Sequence, residues 1–265
     1  MKAAASIRPV AVITGASDGI GAELARVFSR NGHEVVLVAR RRDKLEDLAN
    51  YIESSCGKRP IVVALDLSGP EAIEELSINI AQAGVTVKYL VNNAGFGIFG
   101  CVTQLSPDEQ LAMLDLNTRA LTALTLRFLP EIIVLRGGIM NVASTAAFIP
   151  VPGGAVYAAT KAYVASFSEA LSEELRSSGV KVSCLCPGPV ATGFQARAGI
   201  KMPDKMPGLL SVDEVARQGY KGLMTSKLIV IPGFANKLMS FIAGIMPRRM
   251  SLPAIAANNK KTTRV

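Results

Sequence analysis

The stretch Val10-Ala11-Val12-Ile13-Thr14-Gly15-Ala16-Ser17-Asp18-Gly19-Ile20-Gly21 decides the fold. An apolar, largely β-branched run ends at Thr14, and a helix candidate follows at about Ile20 to Asn31 with only a glycine-rich turn between. Glycines at 15, 19 and 21 permit a tight turn and close backbone approach, and the start of a helix offers free N–H groups that suit a pyrophosphate. The spacing is G-x-x-x-G-x-G rather than the commoner G-x-G-x-x-G. By itself it fits either a phosphate cradle or an ordinary glycine-rich turn.

Working outward, short apolar runs alternate with longer amphipathic ones, which predicts parallel strands joined by helical crossovers. The strand candidates are Val10 to Thr14, Glu34 to Ala39, Pro60 to Asp66, Tyr89 to Asn92, Gly138 to Val142, Lys181 to Cys186 and Leu228 to Ile231. Most lack polar alternation, as expected when both sheet faces are covered. They predict one α/β domain over residues 1–265, with a Rossmann-type, doubly wound, seven-stranded parallel sheet in a three-layer αβα sandwich. Helices are expected at Ile20 to Asn31, Arg42 to Ser55, Pro70 to Ala83, Pro107 to Leu129, Ala155 to Ser178 and Val212 to Met224. Ser106-Pro107-Asp108-Glu109 and Ser211-Val212-Asp213-Glu214 read as helix starts. Between Pro187 and Leu210 the composition turns to Gly, Pro, Met and Lys, which predicts a substrate lid near 189–210.

Composition narrows the function. Apolar residues make up 49% and charged residues 19%, an ordinary globular balance. Lys and Arg number 29 against 21 Asp and Glu, a formal +8, yet no nucleic-acid motif is present and Trp is absent. Nucleic acid is therefore not an expected partner. Cys56, Cys101, Cys184 and Cys186 lack paired zinc spacing, so no metal is expected. Cys184 and Cys186 read as small core residues on one strand face, and a reducing cytoplasm is the expected location. His33, the one histidine, reads as a surface turn residue, which argues against a histidine-based triad.

Recognition of an adenosine ribose is expected at the end of the second strand, where an acid would bond the 2′-hydroxyl of NAD. Here the strand ends Val38-Ala39-Arg40-Arg41. The guanidinium of Arg40, with Arg41, suits the 2′-phosphate of NADP(H); the bland alternative is a solvated charge run opening a helix. Asp18 would repel such a phosphate unless it points to solvent. Tyr157-Ala158-Ala159-Thr160-Lys161 places a phenol and an ammonium four residues apart on one helix face. A neighbouring cation favours the phenolate and eases proton transfer. Ser144 follows a strand and reaches the carboxyl edge of the sheet, where doubly wound folds bind ligands.

Together these residues resemble the short-chain dehydrogenase/reductase family from Val10 to about Gly233. Thr14 to Gly21 looks like its cofactor motif, Asn92-Asn93-Ala94-Gly95 like its strand-four motif, and Tyr157 with Lys161 like its catalytic pair. The resemblance implies cofactor contacts from Gly15, Ser17, Asp18, Gly19, Ile20 and Gly21, from Asp66 and Leu67 beside adenine, and from Asn93, Ala94 and Gly95. It further implies a nicotinamide-side loop at Pro187, Gly188, Val190 and Thr192. Tyr157 would be the general acid or base, and Lys161 would lower its pKa and bond the nicotinamide ribose. Ser144 would polarise the substrate carbonyl, and Asn117 would hold a water linking Lys161 to solvent. Without the resemblance, Asn117 reads as an ordinary polar residue inside a helix.

The expected activity is NADP(H)-dependent interconversion of a carbonyl and a secondary alcohol. A catalytically idle dinucleotide sensor or interaction protein is the alternative, and a methyltransferase would have no need of the Tyr157 and Lys161 pair. Phe96, Phe99, Phe148, Ile149, Phe194, Met202 and Met206 predict an apolar substrate pocket, though each reads equally well as core; that the substrate is a ketoacyl, steroid-like or aliphatic ketone is what the family resemblance implies. In the tail from Phe234, Leu238, Phe241, Ile242 and Ile245 complete an apolar stripe followed by Arg248 and Arg249. Packing at the substrate mouth or in a homodimer or homotetramer is expected, with attachment to an anionic membrane as the rival.

Overall fold

The computed structural model describes residues 8–198 and 208–262. Seven strands, β1 (Pro9–Thr14), β2 (Glu34–Ala39), β3 (Ile61–Ala64), β4 (Thr86–Asn92), β5 (Gly138–Val142), β6 (Lys181–Leu185) and β7 (Ile229–Val230), form one sheet in the order β3-β2-β1-β4-β5-β6-β7. Every pairing is parallel. Successive side chains point to opposite faces, so Ala11, Ile13, Val35 and Leu37 enter one core while Val10, Val12, Val36 and Val38 enter the other. Both faces are apolar because both are covered, which explains the runs without alternation.

On the first face lie α1 (Gly19–Arg30), α2 (Arg42–Cys56) and α8 (Val212–Met224), contributing Leu24, Phe28, Leu45, Val215 and Leu223. On the second lie α3 (Ala72–Gln82), α5 (Leu121–Val134) and α6 (Ala155–Glu174), contributing Leu76, Phe128, Ile132 and Leu171. These are the three expected layers of the doubly wound, Rossmann-type fold. The strand order reverses at β1, between β2 and β4, which opens the crevice at the carboxyl edge where such sheets take ligands.

Several expectations need correction. The single helix expected from Pro107 to Leu129 is α4 (Pro107–Leu114), a π-helical turn (Asp115–Ala120) and α5. The helix expected to reach Ser178 ends at Glu174 and gives way to a 3₁₀ turn over Arg176–Ser178. His33 is not a surface residue. It is half-buried, hydrogen-bonded to the Tyr220 hydroxyl at 3.0 Å, and packed among Phe28, Tyr89 and Tyr220. Burial, then the charge of Lys88, holds its pKa below the usual histidine range. Of the expected lid, Gly193–Ala198 forms a short helix, α7, and Val190 bridges Leu210. Met202 and Met206 lie outside the described residues.

The tail forms α9 (Phe234–Ile245) and α10 (Arg248–Thr262). The apolar stripe on α9 is exposed. Its inward anchor is a polar residue, Asn236, which is 3% exposed and donates to the carbonyls of Gly208 and Pro232, each at 2.9 Å.

Candidate active site

The glycine-rich turn is built as its spacing demands. Gly15 and Gly19 have positive φ, +66° and +54°, where other residues are strained. A Cβ on Gly21 would stand 2.3 Å from the Gly15 carbonyl oxygen, so the helix starts directly against the turn. Asp18 caps α1, its Oδ1 accepting from Gly19 N at 2.7 Å, and so faces the helix start. Thr14, whose role the sequence did not suggest, ties the turn to β4: its Oγ1 accepts from the N–H groups of Asn93 and Ala94, each at 3.0 Å, and donates to the Val91 carbonyl. Asn93 returns the favour through Nδ2, donating to Thr14 O at 2.9 Å and Gly15 O at 3.3 Å. Gly15, Gly19, Ile20, Gly21, Asn93, Ala94 and Gly95 thus share one edge of the crevice.

At the end of β2, the two arginines part. Arg41 folds over the glycine-rich turn, donating from Nη2 to Ser17 Oγ at 3.0 Å and lying 3.7 Å from Asp18. Arg40 turns the other way, 3.5 Å from Asp66. Burial opposes ionisation of Asp66, but two hydrogen bonds from Ser68 and the Arg40 charge outweigh it and hold the carboxyl below its usual range. Leu67 is buried beside it. Arg41, rather than Arg40, is the guanidinium closest to the turn. Arg41 also neutralises Asp18, which removes much of the expected repulsion of an anion there.

Asn117, Ser144, Tyr157 and Lys161 come together on the other side of β4. Tyr157 is buried between Phe99 and Phe194, with ring centroids at 5.3 and 5.6 Å, and its phenol is close enough to Ser144 for that hydroxyl to act on its pKa. Ser144 also caps the 3₁₀ turn Thr145–Phe148, accepting from Ala146 N at 3.1 Å. Lys161 is buried, lies 5.8 Å from the Tyr157 ring centroid and donates to Val142 O at 2.9 Å. Asn117 sits in the π-helical turn. Its Oδ1 accepts from Phe96 N at 3.0 Å, and its Nδ2 donates to Phe96 O at 2.9 Å and Thr160 Oγ1 at 3.1 Å. Both amide hydrogens are therefore used, and a water would meet only the remaining Oδ1 lone pair or the backbone carbonyl. Gly95 permits this convergence, since a Cβ there would lie 2.8 Å from Asn117 Oδ1 and 3.6 Å from Lys161 Nζ.

The electrostatics differ from the expectation that Lys161 makes Tyr157 acidic. Burial pushes the Tyr157 phenol up to about 12, against a smaller opposing effect of the Ser144 hydrogen bond. Burial likewise brings Lys161 down to about 8, partly offset by the Cys184 and Cys186 thiols. Those cysteines are fully buried core residues, as expected. The site can hold a neutral phenol with its proton at pH 7 beside an ammonium close to its titration point, an arrangement suited to delivering a proton.

Pro187, Gly188, Val190 and Thr192 follow β6, and of these Thr192 reaches the glycine-rich turn. A Cβ on Gly19 would stand 3.1 Å from Thr192 Cγ2, and one on Gly193 would stand 2.6 Å from Asp18 Oδ2. Gly188 packs on Asn236, a contact that sequence reasoning missed because an asparagine in an apolar helix carries no motif. Also missed was a buried polar chain under the site, in which Asn92 Nδ2 donates to Thr125 and Asn141, and Asn141 Nδ2 donates to Ser168.

A sequence profile of the short chain dehydrogenase family matches residues 9–202. This chain belongs to that family and is an oxidoreductase. It is 34% identical over 183 residues to an NADP-dependent 3-hydroxy acid dehydrogenase, YdfG, of Salmonella typhi, covering 68% of this chain and 72% of the relative. Among solved structures, a short-chain dehydrogenase from Sphingobium yanoikuyae in complex with NADPH superposes with a TM-score of 0.79 at 32% identity, over 93% of this chain and 95% of that one. A 3-ketoacyl-(acyl-carrier-protein) reductase from Brucella melitensis complexed with NADH gives 0.73 at 29% identity, over 85% and 96%.

Proposed function

We propose that the protein is an NADP(H)-dependent reductase that converts the carbonyl of an apolar ketone to a secondary alcohol, or the reverse. The observation that carries this is the Tyr157, Ser144, Lys161 and Asn117 cluster beside a glycine-rich turn overlaid by Arg41. The turn fits a dinucleotide because its positive-φ glycines leave backbone open at the start of α1. Gly15, Ser17, Gly19, Ile20, Gly21, Asp66, Leu67, Asn93, Ala94 and Gly95 would hold the adenosine and pyrophosphate portion. Pro187, Gly188, Val190 and Thr192 would hold the nicotinamide end.

A bound NADPH supplies the hydride. The chain supplies the rest. Ser144 donates a hydrogen bond to the substrate oxygen, which polarises the carbonyl, and Tyr157 gives its phenolic proton to that oxygen as charge develops. Lys161 stabilises the phenolate left behind, and Asn117 holds the segment over Lys161 in place. The elevated Tyr157 pKa suits reduction, because the acid is loaded at neutral pH. Phe99 and Phe194 beside the phenol favour an apolar substrate. Assembly as a dimer or tetramer belongs to the same proposal. It is supported by Leu111, Leu126, Val134 and Tyr163, which are exposed along α4, α5 and α6 and would be covered by a second copy.

The test is NADPH oxidation over aliphatic, acyl and steroid ketones with Tyr157→Phe as control. Turnover falls by about 100- to 10,000-fold while NADPH binding is retained, since only the transferable proton is removed. A variant keeping more than about a tenth of the parent rate on a good substrate sinks the assignment.

A further inference from the structure

The charge of this chain is not spread evenly. Residues 215–265 contain nine Lys and Arg and no Asp or Glu, whereas residues 1–214 contain 20 and 21. The whole positive excess therefore resides in the C-terminal fifth. That segment also carries a dense run of exposed large apolar side chains. Phe234 is 81% exposed, Ile245 68% and Phe241 66%, and Leu238, Met239, Ile242 and Met250 are exposed with them.

Helix α9 is inverted relative to an ordinary surface helix. Its single buried residue is polar Asn236, pinned to Gly208 and Pro232, while its aromatic and aliphatic residues face away from the protein. The anchoring fixes that orientation, so the stripe is presented outward by the fold. Lys237, Arg248 and Arg249 are exposed around it. An outward apolar stripe on a segment that carries cations and no acid matches one kind of surface, an apolar layer capped by anions. At 1.5 Å per residue, α9 is about 18 Å long, well short of a bilayer core, so it lies in the interface and does not cross. Among the described residues, no helix is long and apolar enough to span a membrane.

We propose that α9 and the start of α10 dock this protein on an anionic phospholipid surface, with Phe241 and Ile245 entering the acyl boundary and Lys237, Arg248 and Arg249 meeting the headgroups. A second copy is a poorer occupant. Two-fold pairing of the stripe brings Lys237, Arg248 and Arg249 against their own counterparts, with no acid in either tail to offset them. An acidic soluble partner would satisfy the cations and leave the stripe in water. Docked this way, the molecule faces the bilayer with the edge that carries Gly188 and the Thr145–Phe148 turn, since Asn236 packs on Gly188 and Arg248 reaches Phe148 O at 3.5 Å.

The test is co-sedimentation of the full chain with vesicles of phosphatidylcholine alone or mixed with phosphatidylglycerol, at low and high salt. Binding is expected only with phosphatidylglycerol and weakens with salt. Arg248→Gln with Arg249→Gln lowers vesicle affinity about 30-fold, the loss of two headgroup-facing charges. Phe241→Ser with Ile245→Ser, both exposed and so neutral to folding, lowers it at least about tenfold. Circular dichroism verifies that both pairs fold. Absence of binding to either vesicle overturns the proposal. So does binding that survives Phe241→Ser with Ile245→Ser, which identifies a purely ionic surface for an acidic partner. A drop in lipid-free molar mass caused by that same pair, with vesicle binding unchanged, assigns the stripe to a second copy.

Discussion

Lys161 and Tyr157 are buried together, and burial moves them in opposite directions because it disfavours whichever form is charged. The phenol keeps its proton up to about pH 12 and does not titrate in the working range. Lys161, brought down to about 8, is an ammonium below that pH and a neutral amine above it. If its charge supports proton delivery, kcat/KM for reduction is level on the acidic side of pH 8 and falls above it with the loss of one proton. A pH–rate profile in the absence of bound product checks this, and a rate that stays level to pH 10 removes the Lys161 charge from the reaction. The arginines make a second residue-scale prediction. NADPH should bind at least about tenfold more tightly than NADH, one charge-assisted contact's worth, and Arg41→Ala should remove more of that preference than Arg40→Ala. Fluorescence titration of both cofactors decides it. Equal affinities in the parent protein would place both guanidinium groups in solvent, and a larger loss from Arg40→Ala would reverse the order taken from the Ser17 contact.

At the scale of elements, the sequence was legible wherever burial wrote a pattern. β2 and β5 match their expected limits to the residue because both ends are bounded by turn or charge signals. β4 begins at Thr86, three residues before the expected Tyr89, because Lys88 interrupts the apolar run. The candidate site was legible through Tyr157 and Lys161, whose spacing on one helix follows from the chain itself. Asn117 was legible only through the family resemblance. A π-helical turn adds backbone without disturbing the side-chain periodicity enough to be seen, yet that turn aims the Asn117 amide at Phe96 and Thr160. Asn236 was equally hidden, since its partners, Gly188 and Gly208, are distant in sequence. The directions of the two pKa shifts also lay beyond sequence, because they depend on how fully the pair is buried.

For the whole molecule, the two faces of the sheet are held by separate cores, and Phe28 is the largest side chain of the first to be fully enclosed. It meets Tyr89 and Tyr220 edge-on, at 5.8 and 4.9 Å, and His33 completes the corner. Phe28→Ala should cost about 3–5 kcal/mol by urea unfolding, and a loss below about 1 kcal/mol would mean the corner collapses to fill the space. The four cysteines give this architecture a practical use. Cys184 and Cys186 are sealed in the interior and Cys56 is half-covered, while Cys101 is exposed, with hydrogen bonds from Thr103 holding its thiol below the usual range. It follows Gly100, which is bonded to Gly153, and stands two residues from the Phe99 ring that flanks Tyr157. A thiol-reactive dye would therefore attach chiefly at the rim of the site in the native sequence, so that ligand arrival could be followed optically without first engineering a handle.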